Sequence, residues 1–193
     1  MARAPPLAYG ARVMTPARLL LISAALVGLS ACATTAPMGP PPPPPGAGGP
    51  PSAGVFRPGD FSWSAVPGKG RIDGKMTFRS GVSRYTCAGA GVVLTPETLW
   101  TRRRMTILYN SPDRAALPAE QVRARTPSAP SGDYSAFVRR TTCDAADHFS
   151  FQGLANGAWF VITVAKPVSG GGPDMAIMRR VEIRQGKAVA IEL

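Results

Sequence analysis

The sequence predicts an all-β fold, a single antiparallel β-sandwich with one short helix, and three stretches carry that prediction. Residues 71–79 alternate without a break, so Ile72, Met76 and Phe78 share one face of a strand and charged side chains take the other. Residues 158–166 are apolar on both faces, which marks a central strand covered on both sides, although periodicity alone also admits a buried helical turn. Met175, Ile177, Val181 and Ile183 share a parity that Val189, Ile191 and Leu193 resume after Gln185-Gly186, and this reads as a β-hairpin. Residues 55–193 are long enough for one core, and no fixed-period repeat divides them.

The remaining elements follow in chain order. A second strand region spans 85–95, interrupted by Gly89 and Gly91, and further strands are expected at 134–143 and 148–151. The one helix is expected to open at Thr95-Pro96-Glu97, where threonine caps, proline suits the first turn and glutamate suits the positive helix end. It is expected to stop near Met105, because Met105, Ile107 and Tyr109 alternate again. Residues 110–132 are rich in Pro, Ser, Arg and Ala and read as a long exposed insertion.

The stretch Phe149-Ser150-Phe151-Gln152-Gly153-Leu154-Ala155-Asn156-Gly157-Ala158-Trp159 resembles the F-x-F-x-x-L-x-x-G-x-[YW] signature of carboxypeptidase regulatory-like domains. These are relatives of transthyretin-like and collagen-binding B-type folds, so the resemblance implies an immunoglobulin-like or prealbumin-like sandwich over roughly residues 68–193. The residues agree with it. Alternation sends Phe149 and Phe151 inward, Leu154 packs under the turn, Gly157 permits a positive φ and Trp159 begins the return strand. Where the family has an Asp-x-x-Gly turn before the phenylalanines, this chain has Asp144-Ala145-Ala146-Asp147-His148. The isopeptide-forming Lys and Asn of the collagen-adhesin relatives have no assignable counterpart.

The N-terminal region reads as an address. Arg3, Arg12 and Arg18 precede an apolar run from Leu19, and Leu29-Ser30-Ala31-Cys32 closes it in the manner of a lipobox. The run is too short for a transmembrane anchor, and cysteine at the cut distinguishes the site from that of an ordinary secretory signal. The resemblance to bacterial lipoproteins implies that residues 1–31 are a signal peptide. Cys32 would then carry diacylglycerol and an amide-linked acyl chain such as palmitate, enough for stable anchoring. Ala33, where an aspartate would resemble the inner-membrane retention signal, implies the periplasmic face of the outer membrane. Residues 32–54 then serve as lipid attachment site and linker. They include six consecutive prolines, Pro40 to Pro45, which favour an extended polyproline spacer over a docking peptide. The chain is thus expected to divide into 1–31, 32–54 and a sandwich domain at 55–193.

Loss of the signal peptide leaves 19 basic against 11 acidic side chains, a net +8 in place of +11. Such a balance suits anionic phospholipid, cell-wall polymer or acidic protein, and no nucleic-acid motif accompanies it. Arg102, Arg103, Arg104, Arg139 and Arg140 are the clustered cations and the candidate anionic-ligand residues. With Cys32 acylated, Cys87 and Cys143 remain, and in an oxidising compartment they are expected to pair; the spacing of reactive thiols is absent. Asp144, Asp147 and His148 are the only compact polar group, too few for a typical metal site and better read as a turn. A hydrolase would need His148 as its base, yet no G-x-S-x-G elbow supplies a nucleophile, and Ser169–Pro173 lacks the lysine of a phosphate loop. Trp63 and Trp100 read as core rather than glycan-facing aromatics. The expectation is therefore a non-catalytic structural or protein-binding module without metal or cofactor. Its partners would be the membrane through Cys32 and an envelope protein or peptidoglycan, with binding of anionic glycan through a basic face as the alternative.

Overall fold

Two sheets pack face to face, and the computed structural model describes residues 54–193. The signal peptide, Cys32 and the linker through residue 53 lie outside the described residues. No described helix is long and apolar enough to cross a membrane. The smaller sheet is built from β1 (Gly70–Lys75), β7 (His148–Leu154) and β10 (Ala188–Glu192), in the order β10-β1-β7. The larger contains β2 (Arg79–Ser80), β3 (Ser83–Thr86), β4 (Gly91–Pro96), β5 (Arg114–Pro118), β6 (Arg139–Thr142), β8 (Gly157–Pro167) and β9 (Met175–Ile183).

Strand β8 organises the larger sheet, pairing with β3, β4 and β9. Its even and odd residues explain why the sequence is apolar on both sides. Trp159, Val161 and Ala165 enter the core between the sheets with Ile72, Phe149, Phe151 and Leu154. Phe160, Ile162 and Val164 pack on the other face against α1 (Leu99–Tyr109) and α2 (Ala119–Arg125). The strand therefore has no solvent face. The segment between β7 and β8 behaves as the motif predicts: Phe149, Phe151, Leu154 and Trp159 are buried and Gly157 has φ 141°. The two strands nevertheless join different sheets, so the glycine turns a corner between layers. The Trp63 ring lies where a Cβ on Gly157 would be, and the Phe149 ring does the same over Gly74.

Several expectations need correction. The C-terminal pair is not a hairpin: a tight turn forms at Gln185 and Gly186, both with positive φ, but β10 pairs in parallel with β1. Both edges of β9 are already taken, by β8 and by β5, so β10 must cross to the other layer. The sandwich is thus antiparallel except at this one pair. Residues 110–132 are no exposed insertion, since they form β5 and α2, and Ala119 and Ala129 are buried. The first strand ends at Lys75, after which Met76 donates to Asp147 and Thr77 to Leu193, although Met76 remains buried as parity requires.

Helix α1 begins later and ends later than its sequence suggests. Pro96 stays in β4 opposite Trp159, and Thr98 is the N-cap: its Oγ1 accepts from Thr101 N at 3.1 Å while Thr101 Oγ1 accepts from Thr98 N at 2.7 Å. The helix continues to Tyr109 because Met105, Leu108 and Tyr109, at helical spacing, reach the sheet. Asn110 ends it in the left-handed conformation at φ 56°.

The residue proposed to start the helix instead ties three elements together. Glu97 accepts from Arg102 at 2.6 Å and from Arg180 Nη2 at 2.6 Å. Burial pushes its carboxyl up, but the hydrogen bonds and charges of Arg180 and Arg102 outweigh that and hold it below the ordinary carboxylate value. A depressed pKa contributes stability that is present above the unfolded-state value and is lost as pH falls through the folded one. Glu97→Gln is therefore expected to cost about 1 kcal/mol at neutral pH, a small figure because both arginines are partly exposed. In urea unfolding the difference from wild type should shrink at pH 3; an unchanged difference would refute the charged pairing.

Candidate functional site

The five candidate arginines do not form one face. Arg139 and Arg140 lie beside Leu94 and Val93 on β6, and neighbouring strand residues point to opposite sides of a sheet. Arg139 lies 5.8 Å from the Trp159 ring centroid and donates to Gln152 O at 3.1 Å. Arg140 is exposed and lies on the helix side. On α1, Arg102 is engaged by Glu97, and Arg104 donates to Pro130 O at 2.7 Å while contacting the rings of Trp100 and Tyr134. Arg103 is exposed. Three of the five thus hold the fold together, and two remain free to meet solvent.

Arg140 borders a cleft of about 360 Å³ between α1, residues 132–138 and the helix side of the larger sheet. Val93, Met105, Leu108 and Ile162 give the cleft apolar lining; Tyr109, Asp133, Tyr134 and Ser135 supply polar groups. Residues 132–138 are fixed from below by Phe137, stacked 4.8 Å from Phe61, and by Tyr134, edge-on to Trp100 at 5.1 Å. Trp63 and Trp100 are both used in packing, Trp63 against Trp159 at 5.0 Å. Within the loop, hydrogen bonds from Ser135 hold the Asp133 carboxyl below its usual value. Tyr109 is 5% exposed, and burial, reinforced by Tyr134 and opposed by Arg104, pushes its phenol up to about 12. Sequence reasoning missed both tyrosines by assigning them to strands; the Met105-Leu108-Tyr109 spacing was the available signal.

The Asp144–His148 group is a turn. Asp144 Oδ1 accepts from Ala146 N at 2.9 Å and His148 N at 2.8 Å, and the His148 bond is the main cause that lowers the Asp144 carboxyl. Asp147 occupies the position where the resemblance has glycine and adopts φ 66°, a conformation that aspartate tolerates. Its Oδ1 accepts from Thr86 Oγ1 at 2.6 Å and Cys87 N at 2.8 Å. Cys87 and Cys143 are disulfide-bonded, with Cα atoms 5.7 Å apart. The two sulfurs and an Asp147 oxygen lie close together, but sulfur in a disulfide offers no thiolate to a metal. The imidazole of His148 is exposed, its Nδ1 3.9 Å from Asp144 Oδ1.

No model of a known protein family matches the chain, and no curated protein matches it. Among solved structures it is similar to a "putative carbohydrate binding protein" of Pseudomonas aeruginosa, at TM-score 0.50 and 19% identity, covering 72% of this chain and 97% of that one. That likeness shows the fold. A minor pilin of Streptococcus agalactiae is also similar, at TM-score 0.35 and 17% identity, with 66% of this chain and 44% of that chain covered.

Proposed function

We propose that the chain is a lipid-anchored, non-catalytic binding or structural module of the cell envelope, with a carboxypeptidase regulatory-like sandwich held off the periplasmic face of the outer membrane. The lipobox Leu29-Ser30-Ala31-Cys32, placed after a basic stretch and a short apolar run, is the observation that carries the reading. The spacer fits it, because a proline run keeps a domain at a distance from its anchor. The disulfide fits it as well, since such bonds persist outside the cytosol. Asp144 and Asp147 spend their carboxylates on a turn, which leaves His148 with the weak partner of an exposed loop rather than the orienting partner of a catalytic base.

Fractionation tests the anchor. Wild type is expected in the membrane pellet after a high-salt wash and Cys32→Ser in the soluble fraction. A variant that stays with the membrane after that wash would overturn the lipid attachment, because electrostatic association alone is screened by salt.

A second reading, recognition of anionic glycan, is favoured by the net positive charge and by the described likeness to a protein named for carbohydrate binding. It no longer involves five arginines on one surface. Arg140 and the cleft beside it are the natural place to test it.

A further inference from the structure

The cleft beside α1 brings together three kinds of surface. Val93 and Ile162, both half-buried, give it an apolar part, Tyr109 and Tyr134 give it phenols, and Arg140 gives it a cation. Arg140 makes no ion pair or side-chain hydrogen bond among the described residues, whereas Arg102, Arg104 and Arg139 are each engaged. Tyr109 lines the same cleft and is 5% exposed. With its pKa raised to about 12 it stays protonated across the physiological range and can donate. The volume, about 360 Å³, lies within the range of pockets that take small molecules.

We infer that this cleft binds a carboxylated sugar unit, with the carboxylate on Arg140, a ring face on Val93 and Ile162, and ring hydroxyls at Tyr109 and Asp133. The inference rests on reading the domain as a binding module of the envelope, and it moves glycan recognition from a basic face to one site. A guanidinium suits the carboxylate because it offers paired donors. An Asp133 carboxylate at the same rim disfavours a dianion and instead accepts from hydroxyls, which points to a sugar acid rather than a phosphate. A peptide carboxylate would satisfy Arg140 but bring no ring hydroxyls for Tyr109 and Asp133.

The test uses the full chain carrying Cys32→Ser, with saturation-transfer NMR and calorimetry. The probes are N-acetylmuramic acid, N-acetylglucosamine as the matched sugar without the acid, and acetyl-D-alanyl-D-alanine as a peptide carboxylate. N-Acetylmuramic acid is expected to bind more tightly than either of the others. Arg140→Gln should weaken it about tenfold, Arg140→Lys should recover part of the loss, and Tyr109→Phe should weaken it less than Arg140→Gln. Arg103→Gln, on exposed α1 surface, should leave binding unchanged. Three results would each overturn the assignment: no transfer to N-acetylmuramic acid, equal binding of both sugars that is insensitive to Arg140→Gln, or binding of the peptide alone. None of them alters the outcome of the Cys32→Ser fractionation, so failure of the cleft and failure of the anchored-module reading remain distinguishable.

Discussion

Trp159→Ala is expected to remove about 3–5 kcal/mol of stability, the range for emptying a large aromatic site in a core. The side chain is fully buried, edge-on to Trp63 at 5.0 Å, and its Nε1 donates to Ala155 O at 3.3 Å. Arg139 covers the same ring at 5.8 Å, so truncation also strips a cation–π partner from β6. The loss thus reaches both sheets and the packed N-terminal aromatics together. Trp159→Phe should retain the fold and cost clearly less, which keeps the claim testable if the alanine variant does not accumulate. Urea unfolding followed by circular dichroism reads both. A cost below about 1 kcal/mol for Trp159→Ala would contradict its place at the centre of the core.

Removing the Cys87–Cys143 bridge is expected to cost about 2–5 kcal/mol. The cysteines are 56 residues apart in sequence, and chain entropy alone gives about 4 kcal/mol for a loop of that size. The bridge joins the turn before β4 to the end of β6, and Gly89 N and Cys143 N exchange backbone hydrogen bonds with Cys143 O and Ala90 O at 2.9 Å each. Part of the structure around the bond should therefore survive its loss. Cys87→Ala/Cys143→Ala is expected to unfold at lower urea with a steeper slope, because the unbridged unfolded chain exposes more surface, and titration of unreduced, denatured wild type should find no thiol from this pair. Two reactive thiols there would refute the bridge.

The layers were more legible in the sequence than the partners within them. Apolar parity placed Ile72, Phe149, Phe151, Val181 and Ile183 correctly in the inter-sheet core, because a period of two decides which face a side chain takes. Parity does not say which strand lies alongside. Parity alone therefore suggests the sequence neighbour for the C-terminal strand, whereas the occupied edges of β9 send it to β1. The edge that excluded it belongs to β5, whose Arg-Ala-Ala-Leu-Pro sequence has no β-branched residue and reads as loop. In α1, Met105, Ile107 and Tyr109 fit an alternation that would end the helix early while Met105, Leu108 and Tyr109 fit a helix, and tertiary contact with the sheet selects the second.

The site was less legible still. Clustering in sequence suggested a shared basic surface, yet Arg139 and Arg140 are adjacent on a strand and must diverge. Arg102 and Arg104 are drawn into contacts with Glu97, Asp113, Pro130 and Tyr134, all outside α1. A cation's partners are set by tertiary packing, so Arg140, which of the two free arginines is the one that borders the cleft, stands out only once the others are placed.

Intact-mass spectrometry of the wild-type chain, purified in detergent from the membranes of bacteria that produce it, tests the central claim most directly. The anchored-module reading predicts a polypeptide beginning at Cys32 and carrying the added mass of a diacylglyceryl group and an amide-linked acyl chain. A polypeptide beginning at any other residue, or one beginning at Cys32 with no lipid mass, would contradict it.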